Sequence, residues 1–143
     1  MIRVLTSKDY SQWHMLWSNY LAFYETELDE AIFKGTFQKL ISKNNPSQNA
    51  LVSEDDSALN GLVHFIAHPH NWKSEHVVYL QDLYTDVGMR GKGIGRALIE
   101  AVYKIADEND TPTVYWLTQD HNQVARHLYD RIGTLTPFIK YNR

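Results

Sequence analysis

Cysteine is absent from this chain of 143 residues, and the absence removes several kinds of chemistry. A chain without thiols forms no disulfide, holds no zinc through cysteine and has no cysteine nucleophile. Any group transfer that it catalyses must therefore be direct or use another nucleophile. The lack of disulfides also suits a reducing compartment, and we expect a cytoplasmic protein.

Long hydrophobic runs are absent too. No apolar stretch approaches the roughly 18 residues of a membrane span, and residues 1–6 are too short and too polar for a signal peptide. A formal charge of −3 argues against a general nucleic-acid binder, whose surface is usually basic. The seven histidines show no metal-ligand spacing. We therefore expect no membrane, nucleic-acid or metal partner, and only a local site for any anion.

No linker or low-complexity tract divides the chain, so residues 1–143 are predicted to form one domain. Apolar periodicity predicts an antiparallel first half, followed by strand, helix and strand in a right-handed parallel crossover. The predicted strands are 2–5, 50–53, 59–68, 77–86, 113–118 and 138–141. The predicted helices begin after Asp9, at about residue 29, at Gly91 and at Asn122.

The strand 77–86 is predicted to alternate its side chains between two faces. One face carries Val77, Tyr79, Gln81, Leu83 and Thr85. The other carries Val78, Leu80, Asp82, Tyr84 and Asp86. On the predicted strand 59–68, His64 and His68 lie at alternate positions, and we expect them to be ordinary strand residues.

A glycine-rich basic turn follows this strand and leads into the best-defined predicted helix. Gly91, Gly93 and Gly95 let the backbone approach a ligand without Cβ obstruction, and the free N–H groups at the helix start point at an anion. Positive charge comes from Arg90, Lys92 and Arg96. The turn predicts a phosphate-binding site.

The spacing of this turn excludes two well-known phosphate motifs. A P-loop needs Ser or Thr after Gly-Lys, but Gly93 follows Lys92. A dinucleotide fingerprint needs glycine three residues after Gly95, and that position is Leu98. Both nucleotide hydrolysis and hydride transfer are therefore disfavoured.

The run Arg90-Gly91-Lys92-Gly93-Ile94-Gly95 resembles the acyl-CoA pyrophosphate signature of the GNAT superfamily of N-acetyltransferases, Gln/Arg-x-x-Gly-x-Gly/Ala. Residues 79–85 are similar to that family's central strand, and residues 122–133 to its last helix. Within the superfamily, residues 112–118 and 138–141 look most similar to the histone/polyamine acetyltransferase-like branch. The resemblance implies a mixed, mostly antiparallel α/β sheet of about six or seven strands with about four helices. It also implies a splayed central strand pair and a homodimer.

Acetyl-CoA is the acetyl donor that the resemblance implies, with CoA as a product. A backbone N–H near Leu83 is the implied oxyanion donor. Asn122 could equally be an ordinary helix N-cap. The implied cofactor-binding residues are Leu83, Tyr84, Thr85, Arg90, Gly91, Lys92, Gly93, Ile94, Gly95, Arg96, Asn122 and Arg126.

Tyr129 matches the family's tyrosine that protonates the coenzyme sulfur, and a phenol of pKa near 10 keeps its proton at neutral pH. Core packing is the alternative for this residue. The general base is less clear. Polyamine acetyltransferases often have Leu-Glu-Asp where this chain has Leu80-Gln81-Asp82, and Gln81 cannot accept a proton. Asp82 could act directly, through water, or only structurally; His76 and Glu75 are weaker alternatives.

The acceptor pocket is expected between the first two helices and the central strand. Tyr24, Glu25, Glu27 and Gln81 are the candidate substrate-binding residues, because aromatic and acidic groups suit an ammonium ion. Core packing and solvated surface compete with that role. The predicted reaction is acetyl transfer to a small amine, polyamine, amino acid or lysine side chain, including one on a lysine-containing peptide. A non-catalytic acyl-CoA-binding or sensing module is the alternative.

Overall fold

Five strands form one mixed sheet in the computed structural model, which describes all 143 residues. The strands are β1 (Ile2–Val4), β2 (Gln48–Asp55), β3 (Ala58–His68), β4 (Val77–Thr85) and β5 (Val114–Tyr115). The helices are α1 (Tyr10–Phe23), α2 (Glu30–Ile41), α3 (Ile94–Glu108) and α4 (Gln123–Ile132). Strands β1 to β4 pair antiparallel in chain order, and β5 pairs parallel with β4. No helix is long and apolar enough to cross a membrane.

The helices cover both faces of the sheet. Alternating residues of β3 show the division, because Leu62 packs with α1 and α2 whereas Val63 packs with α3. Trp13 and Leu16 of α1 are fully buried on the first side, and Leu98 of α3 is fully buried on the second. The sheet therefore lies between two apolar clusters, and α4 packs at the margin of the second.

The number of strands is lower than predicted. Residues 138–141 form no strand, and the predicted strand 113–118 is reduced to Val114–Tyr115. A strand needs a neighbour to satisfy its backbone groups, and β5 offers β4 only two paired residues. The C-terminal segment therefore stays irregular, and the side chains of Phe138 and Tyr141 are 85% and 86% exposed.

A β-bulge interrupts β4, and the simple alternation predicted for this strand is wrong. His64 pairs with Asp82 while Phe65 pairs with Leu80, so Gln81 is an extra residue without a partner on β3. After this extra residue, the side chains of β4 point to the opposite faces of the sheet from those that simple alternation predicts. Leu80 and Leu83 therefore both pack on the α3 side. Asp82 turns instead toward α1, where its carboxylate contacts an indole.

Strands β4 and β5 separate, as predicted, soon after they pair. Their only paired positions are Val78 with Val114 and Tyr79 with Tyr115. Residues 80–85 of β4, apart from Gln81 in the bulge, continue to pair with β3 on one side but have no neighbouring strand on the other. This open edge leads directly to the glycine turn.

Candidate active site

The glycine turn forms an open concave surface at the end of β4. The Asp86 carboxylate accepts the Gly88 N–H at 3.0 Å and begins a short 3-10 helix, Val87–Met89. Gly91 and Gly93 then adopt φ angles of +78° and +81°, a region that side chains with a Cβ rarely occupy. A Cβ at either position would have no atom within 4 Å. The backbone is therefore open to a ligand here.

Six successive backbone N–H groups in this turn have no acceptor in the structure. They belong to residues 91–96, and the first regular bond of α3 runs from the Ala97 N–H to the Gly93 oxygen at 2.9 Å. Unpaired N–H groups at a helix start attract anions through hydrogen bonds and the helix dipole. The turn therefore fits the diphosphate of a coenzyme.

The three cations of the turn contact nearby protein groups rather than the open surface. Arg90 Nε donates to the Thr85 oxygen at 3.1 Å, and its guanidinium lies 5.7 Å from the centre of the Tyr84 ring. Lys92 Nζ lies 3.4 Å from the sulfur of Met89. Arg96 pairs with Glu100 at 2.7 Å. Because exposed pairs of this kind are weak, these side chains are free to reorient toward an anion.

The predicted cofactor residues of β4 lie on the open edge. Leu83, Tyr84 and Thr85 pair with Val63, Leu62 and Gly61 of β3, which leaves their other side without a strand. An extended ligand can add to such an edge by hydrogen bonding to the backbone. The edge and the glycine turn form one continuous surface for a long ligand.

Asp82 is held in a buried hydrogen-bond network. Its residue is only 8% exposed, and its Oδ2 accepts from Trp17 Nε1 at 3.2 Å and contacts His64 Nδ1 at 2.8 Å. The other oxygen, Oδ1, forms no hydrogen bond of ordinary length, and the Tyr20 hydroxyl lies close to the same carboxylate. One oxygen of Asp82 is therefore anchored while the other is available.

The protonation of His64 follows from its second contact. Trp13 Nε1 donates to His64 Nε2 at 2.9 Å, and an indole N–H can only donate. Nε2 is therefore an acceptor without a proton, and Nδ1 carries the proton that is donated to Asp82. The residue is 4% exposed. The contact between His64 and Asp82 was not predicted from the sequence, because only the bulge in β4 brings Asp82 opposite His64.

A small cavity of about 210 Å³ lies beside Asp82, between α2 and strands β2 to β4. Trp17, His64 and Phe65 form part of its wall. Its other polar lining residues are Thr36, Gln48, Asn49 and Gln81. Because His64 is neutral, Asp82 is the one charged group in this lining. The cavity joins the predicted base to Gln81, one of the predicted substrate-binding residues.

Tyr129 lies close to Tyr24, the residue that follows α1. Burial, and then the nearby Tyr24, raise the pKa of Tyr129 to about 12. Its ring contacts Trp116 edge-on at 5.4 Å, and its hydroxyl takes part in no hydrogen bond in the structure. Burial, and then the Asp82 carboxylate, raise the pKa of Tyr20 as well. The ring of Tyr24 lies 5.2 Å from that of Tyr20, so these two tyrosines link the surroundings of Tyr129 to those of Asp82.

Two predicted substrate-binding residues lie elsewhere. Glu25 and Glu27 line a larger groove of about 710 Å³ between α1 and α2, where His14 Nε2 contacts Glu30 at 2.7 Å. Neither Asp82 nor Gln81 lines this groove. The structure therefore separates Glu25 and Glu27 from Asp82.

The remaining predicted residues have structural partners. Asn122 is the N-cap of α4, with its oxygen accepting from the Ala125 N–H at 3.5 Å, and Arg126 donates to the Asp120 oxygen at 2.7 Å. Glu75 contacts Ser74 in the loop before β4, and neither Glu75 nor His76 lines the small cavity. No three His, Asp or Glu side chains are grouped as a metal site requires.

Comparison with known proteins gives a consistent result. Residues 10–134 match the family model described as the Acetyltransferase (GNAT) family. The chain is 35% identical over its full length to the D-amino-acid N-acetyltransferase HPA3 of Saccharomyces cerevisiae, covering 89% of that protein.

Solved structures of other acetyltransferases share the fold. A ribosomal-protein-alanine N-acetyltransferase from Brucella melitensis superposes with a TM-score of 0.82 and 21% identity, over 100% of this chain and 96% of that one. An aminoglycoside N-acetyltransferase in complex with CoA superposes with a TM-score of 0.85 and 14% identity, over 100% and 93%. At these identities the likeness concerns the fold.

Proposed function

The chain belongs to the GNAT family of acetyltransferases and is an acetyl-CoA-dependent N-acetyltransferase, and we propose that it acetylates a small primary amine of the amino-acid type. The observation that carries the proposal is the small cavity in which Asp82 is the single charged group. The predicted placement in the histone/polyamine branch stays a prediction. The yeast relative HPA3 is named as an N-acetyltransferase of D-amino acids.

The protein has a fitting surface for acetyl-CoA. The unpaired N–H groups of residues 91–96 suit the diphosphate, and the open edge of β4 suits the extended pantetheine arm. When bound, acetyl-CoA supplies the acetyl group as a thioester, whose C–S bond breaks as the C–N bond to the amine forms.

Asp82 and Tyr129 are the residues that we assign to proton transfer. An ammonium ion must lose a proton before its nitrogen can attack, and Asp82, which lines the cavity and is held through Oδ2, is the available acceptor. The departing thiolate must gain a proton, and Tyr129 holds one because its pKa is raised to about 12. The nitrogen loses a second proton as the amide forms, and this loss balances the proton that Tyr129 gives to the thiolate and then regains from solvent. Asp82 releases the first proton to solvent, so each acetyl transfer frees one proton overall.

The size and lining of the cavity favour a small acceptor. A volume of about 210 Å³ lies below the roughly 300–1,000 Å³ of pockets for drug-sized ligands. A single carboxylate matches a single ammonium group. The hydroxyl of Thr36 and the amide N–H groups of Gln48, Asn49 and Gln81 are the donors available to the carboxylate of an amino acid. A polyamine, with several ammonium groups, would leave charges without partners here.

A panel of amines tests this function directly. Purified protein is incubated with acetyl-CoA and, separately, with D- and L-amino acids, spermidine and a lysine-containing peptide, while thiol release and product mass are measured. We expect thiol release with amino acids, one acetyl group added to each product molecule, and at least about tenfold lower kcat/KM with spermidine and the peptide.

Two outcomes would contradict parts of the proposal. Spermidine or the peptide as the best acceptor would overturn the substrate class while leaving acetyl transfer intact. Binding of acetyl-CoA without transfer to any amine would instead favour the non-catalytic acyl-CoA-binding module.

A further inference from the structure

We propose that His64 is a positioning residue for the acetyl transfer: Trp13 holds its imidazole in the Nδ1–H form, and His64 in turn fixes Asp82 so that Oδ1 faces the acceptor cavity. The inference rests on the proposed function, because it needs Asp82 to receive the proton of the amine. The chain of contacts runs from Trp13 through His64 to Asp82, at 2.9 Å and 2.8 Å.

The first step of the argument is the fixed tautomer. Protonation of His64 at Nε2 would set two N–H donors, those of the imidazole and of Trp13, against each other at 2.9 Å. The histidine is 4% exposed and packed against two tryptophans, so little space is left to relieve that conflict. His64 therefore carries its proton at Nδ1, which donates to Asp82.

The surroundings of His64 hold few other groups that titrate. From β4 it faces Asp82, and from α1 it faces two tryptophans, with Tyr20 lying nearby beside Asp82. Its partner on β2 is Ala50. Asp82 and Tyr20 are thus the titratable groups that can influence it.

The second step concerns the two oxygens of Asp82. Both donors, Trp17 Nε1 and His64 Nδ1, bind the same oxygen, Oδ2. Two hydrogen bonds to Oδ2 restrict rotation of the carboxylate and leave Oδ1 for the substrate. Without the His64 donor, Asp82 keeps the bond at 3.2 Å from Trp17 and the nearby Tyr20 hydroxyl, and the carboxylate gains freedom to turn away from the cavity.

A pair of substitutions separates positioning from packing. In His64→Asn the amide nitrogen takes roughly the place of Nδ1 and can still donate to Asp82, whereas in His64→Gln the amide reaches roughly the place of Nε2 and faces Trp13 instead. Both leave a polar group of smaller size in the same buried place. We expect kcat to fall about 10–100-fold in His64→Gln with little change in KM for acetyl-CoA, and to be at least tenfold higher in His64→Asn.

His68→Gln is the matched control, because His68 lies on the same strand and contacts Tyr115 rather than Asp82. We expect it to keep the wild-type kcat. Equal losses in His64→Asn and His64→Gln would show a packing role and overturn the proposal, as would wild-type activity in His64→Gln.

Nuclear magnetic resonance of the histidine side chains gives a test that does not depend on activity. In the wild-type protein we expect the Nδ1–H tautomer for His64 at neutral pH. Trp13→Phe removes the N–H that locks the ring, and His64 should then show a mixture of its two neutral tautomers. The Nε2–H tautomer of His64 in the wild type would overturn the inference even if the His64 variants do not fold.

The failure of the inference is distinguishable from that of the proposed function. If Asp82→Asn keeps full activity, the role of Asp82 in the proposed function is wrong. If Asp82→Asn is inactive while His64→Gln is fully active, only the role of His64 is wrong.

Discussion

At Tyr129 burial changes the chemistry of a single phenol. The raised pKa, about 12, keeps the hydroxyl protonated at every pH at which the enzyme is expected to work. The absence of a hydrogen-bond partner leaves that proton available to a thiolate. The ring itself is held against Trp116, so its position does not depend on the hydroxyl.

Replacing Tyr129 with Phe should therefore remove the acid and keep the fold. General acid catalysis contributes about 100-fold or more, so kcat for Tyr129→Phe should fall by about that factor while the affinity for acetyl-CoA stays close to that of the wild type. Steady-state kinetics and calorimetric binding measure the two quantities.

The control is Tyr141→Phe, which alters a phenol that is 86% exposed near the C-terminus. It should leave kcat unchanged. A Tyr129→Phe enzyme with the wild-type kcat between pH 6 and 10 would show that the phenol only packs.

The functional residues differ in how far the sequence could reveal them. Tyr129 and Gly93 are predicted because each belongs to a local pattern, a helix motif or a glycine turn. His64 could not be found, because its role depends on Trp13, a residue 51 positions away, and on the β4 bulge. The separation of Glu25 and Glu27 from Asp82 likewise depends on how α1 and α2 pack.

Among the elements, the turn into α3 has the most demanding geometry. Gly93 is the N-cap of α3 with a φ of +81°, and no atom lies within 4 Å of a Cβ built there. The space into which a side chain would project is the space next to the unpaired N–H groups.

Gly93→Asp should abolish most acetyl-CoA binding, because it places a carboxylate where a diphosphate is expected. We expect at least about a 100-fold rise in Kd for acetyl-CoA, measured by calorimetry. Gly93→Ala introduces the same unfavourable φ without charge, and should cost about 1 kcal/mol of stability and much less affinity.

Gly35→Asp adds the same charge to the open surface of α2 and serves as a second control. Its affinity for acetyl-CoA should match that of the wild type. An unchanged affinity in Gly93→Asp would mean that the coenzyme binds elsewhere.

Element boundaries show where sequence patterns succeed and where they stop. The helix predicted to begin at Gly91 begins at Ile94, because apolar spacing fixes its core face but not its first turn. An alternating sequence pattern cannot reveal the β4 bulge, because one extra residue reverses the face to which every later side chain points. The contacts of the Asp82 side chain could therefore be identified only from the strand pairing in the structure.

Across the whole molecule, Arg3 ties the first strand to distant parts of the chain. Its guanidinium contacts both oxygens of Asp9 at 2.8 Å and 2.9 Å, and Glu54 at 2.7 Å. The Arg3 hydrogen bonds hold the pKa of Asp9 at about 2, below its ordinary value of 3.8. The stability from this carboxylate is thus present above about pH 4 and is lost as the pH falls through about 2.

Asp9→Asn should lower the free energy of unfolding by about 2 kcal/mol at pH 7, because the charged partner of a partly buried, doubly hydrogen-bonded pair is lost. The difference from the wild type should shrink as the pH falls from 4 toward 2. Urea unfolding followed by circular dichroism at several pH values measures it.

Asp55→Asn is the matched control, since it changes an exposed aspartate at the end of β2 without a side-chain partner. It should leave stability within about 0.5 kcal/mol of the wild type. A difference between Asp9→Asn and the wild type that is the same at pH 7 and pH 2.5 would contradict the role of the Asp9 charge.

The molecule as a whole follows the predicted layers but not the predicted strand count. Local periodicity predicted four helices and an antiparallel first half followed by a parallel crossover. It could not show that residues 138–141 lack a neighbour to pair with, because pairing depends on where β5 ends. The predicted homodimer stays a prediction. Because the apolar side chains of Leu135, Phe138 and Ile139 are exposed, the C-terminal segment is the first surface at which to test for a dimer.

The rate of acetyl transfer by Asp82→Asn tests the central claim most directly. The substitution keeps the shape of the side chain and removes the base. With the best amine of the panel, the account predicts unchanged affinity for acetyl-CoA and a fall in kcat of about 100-fold or more at pH 7. An Asp82→Asn enzyme that transfers acetyl groups at the wild-type rate would contradict it.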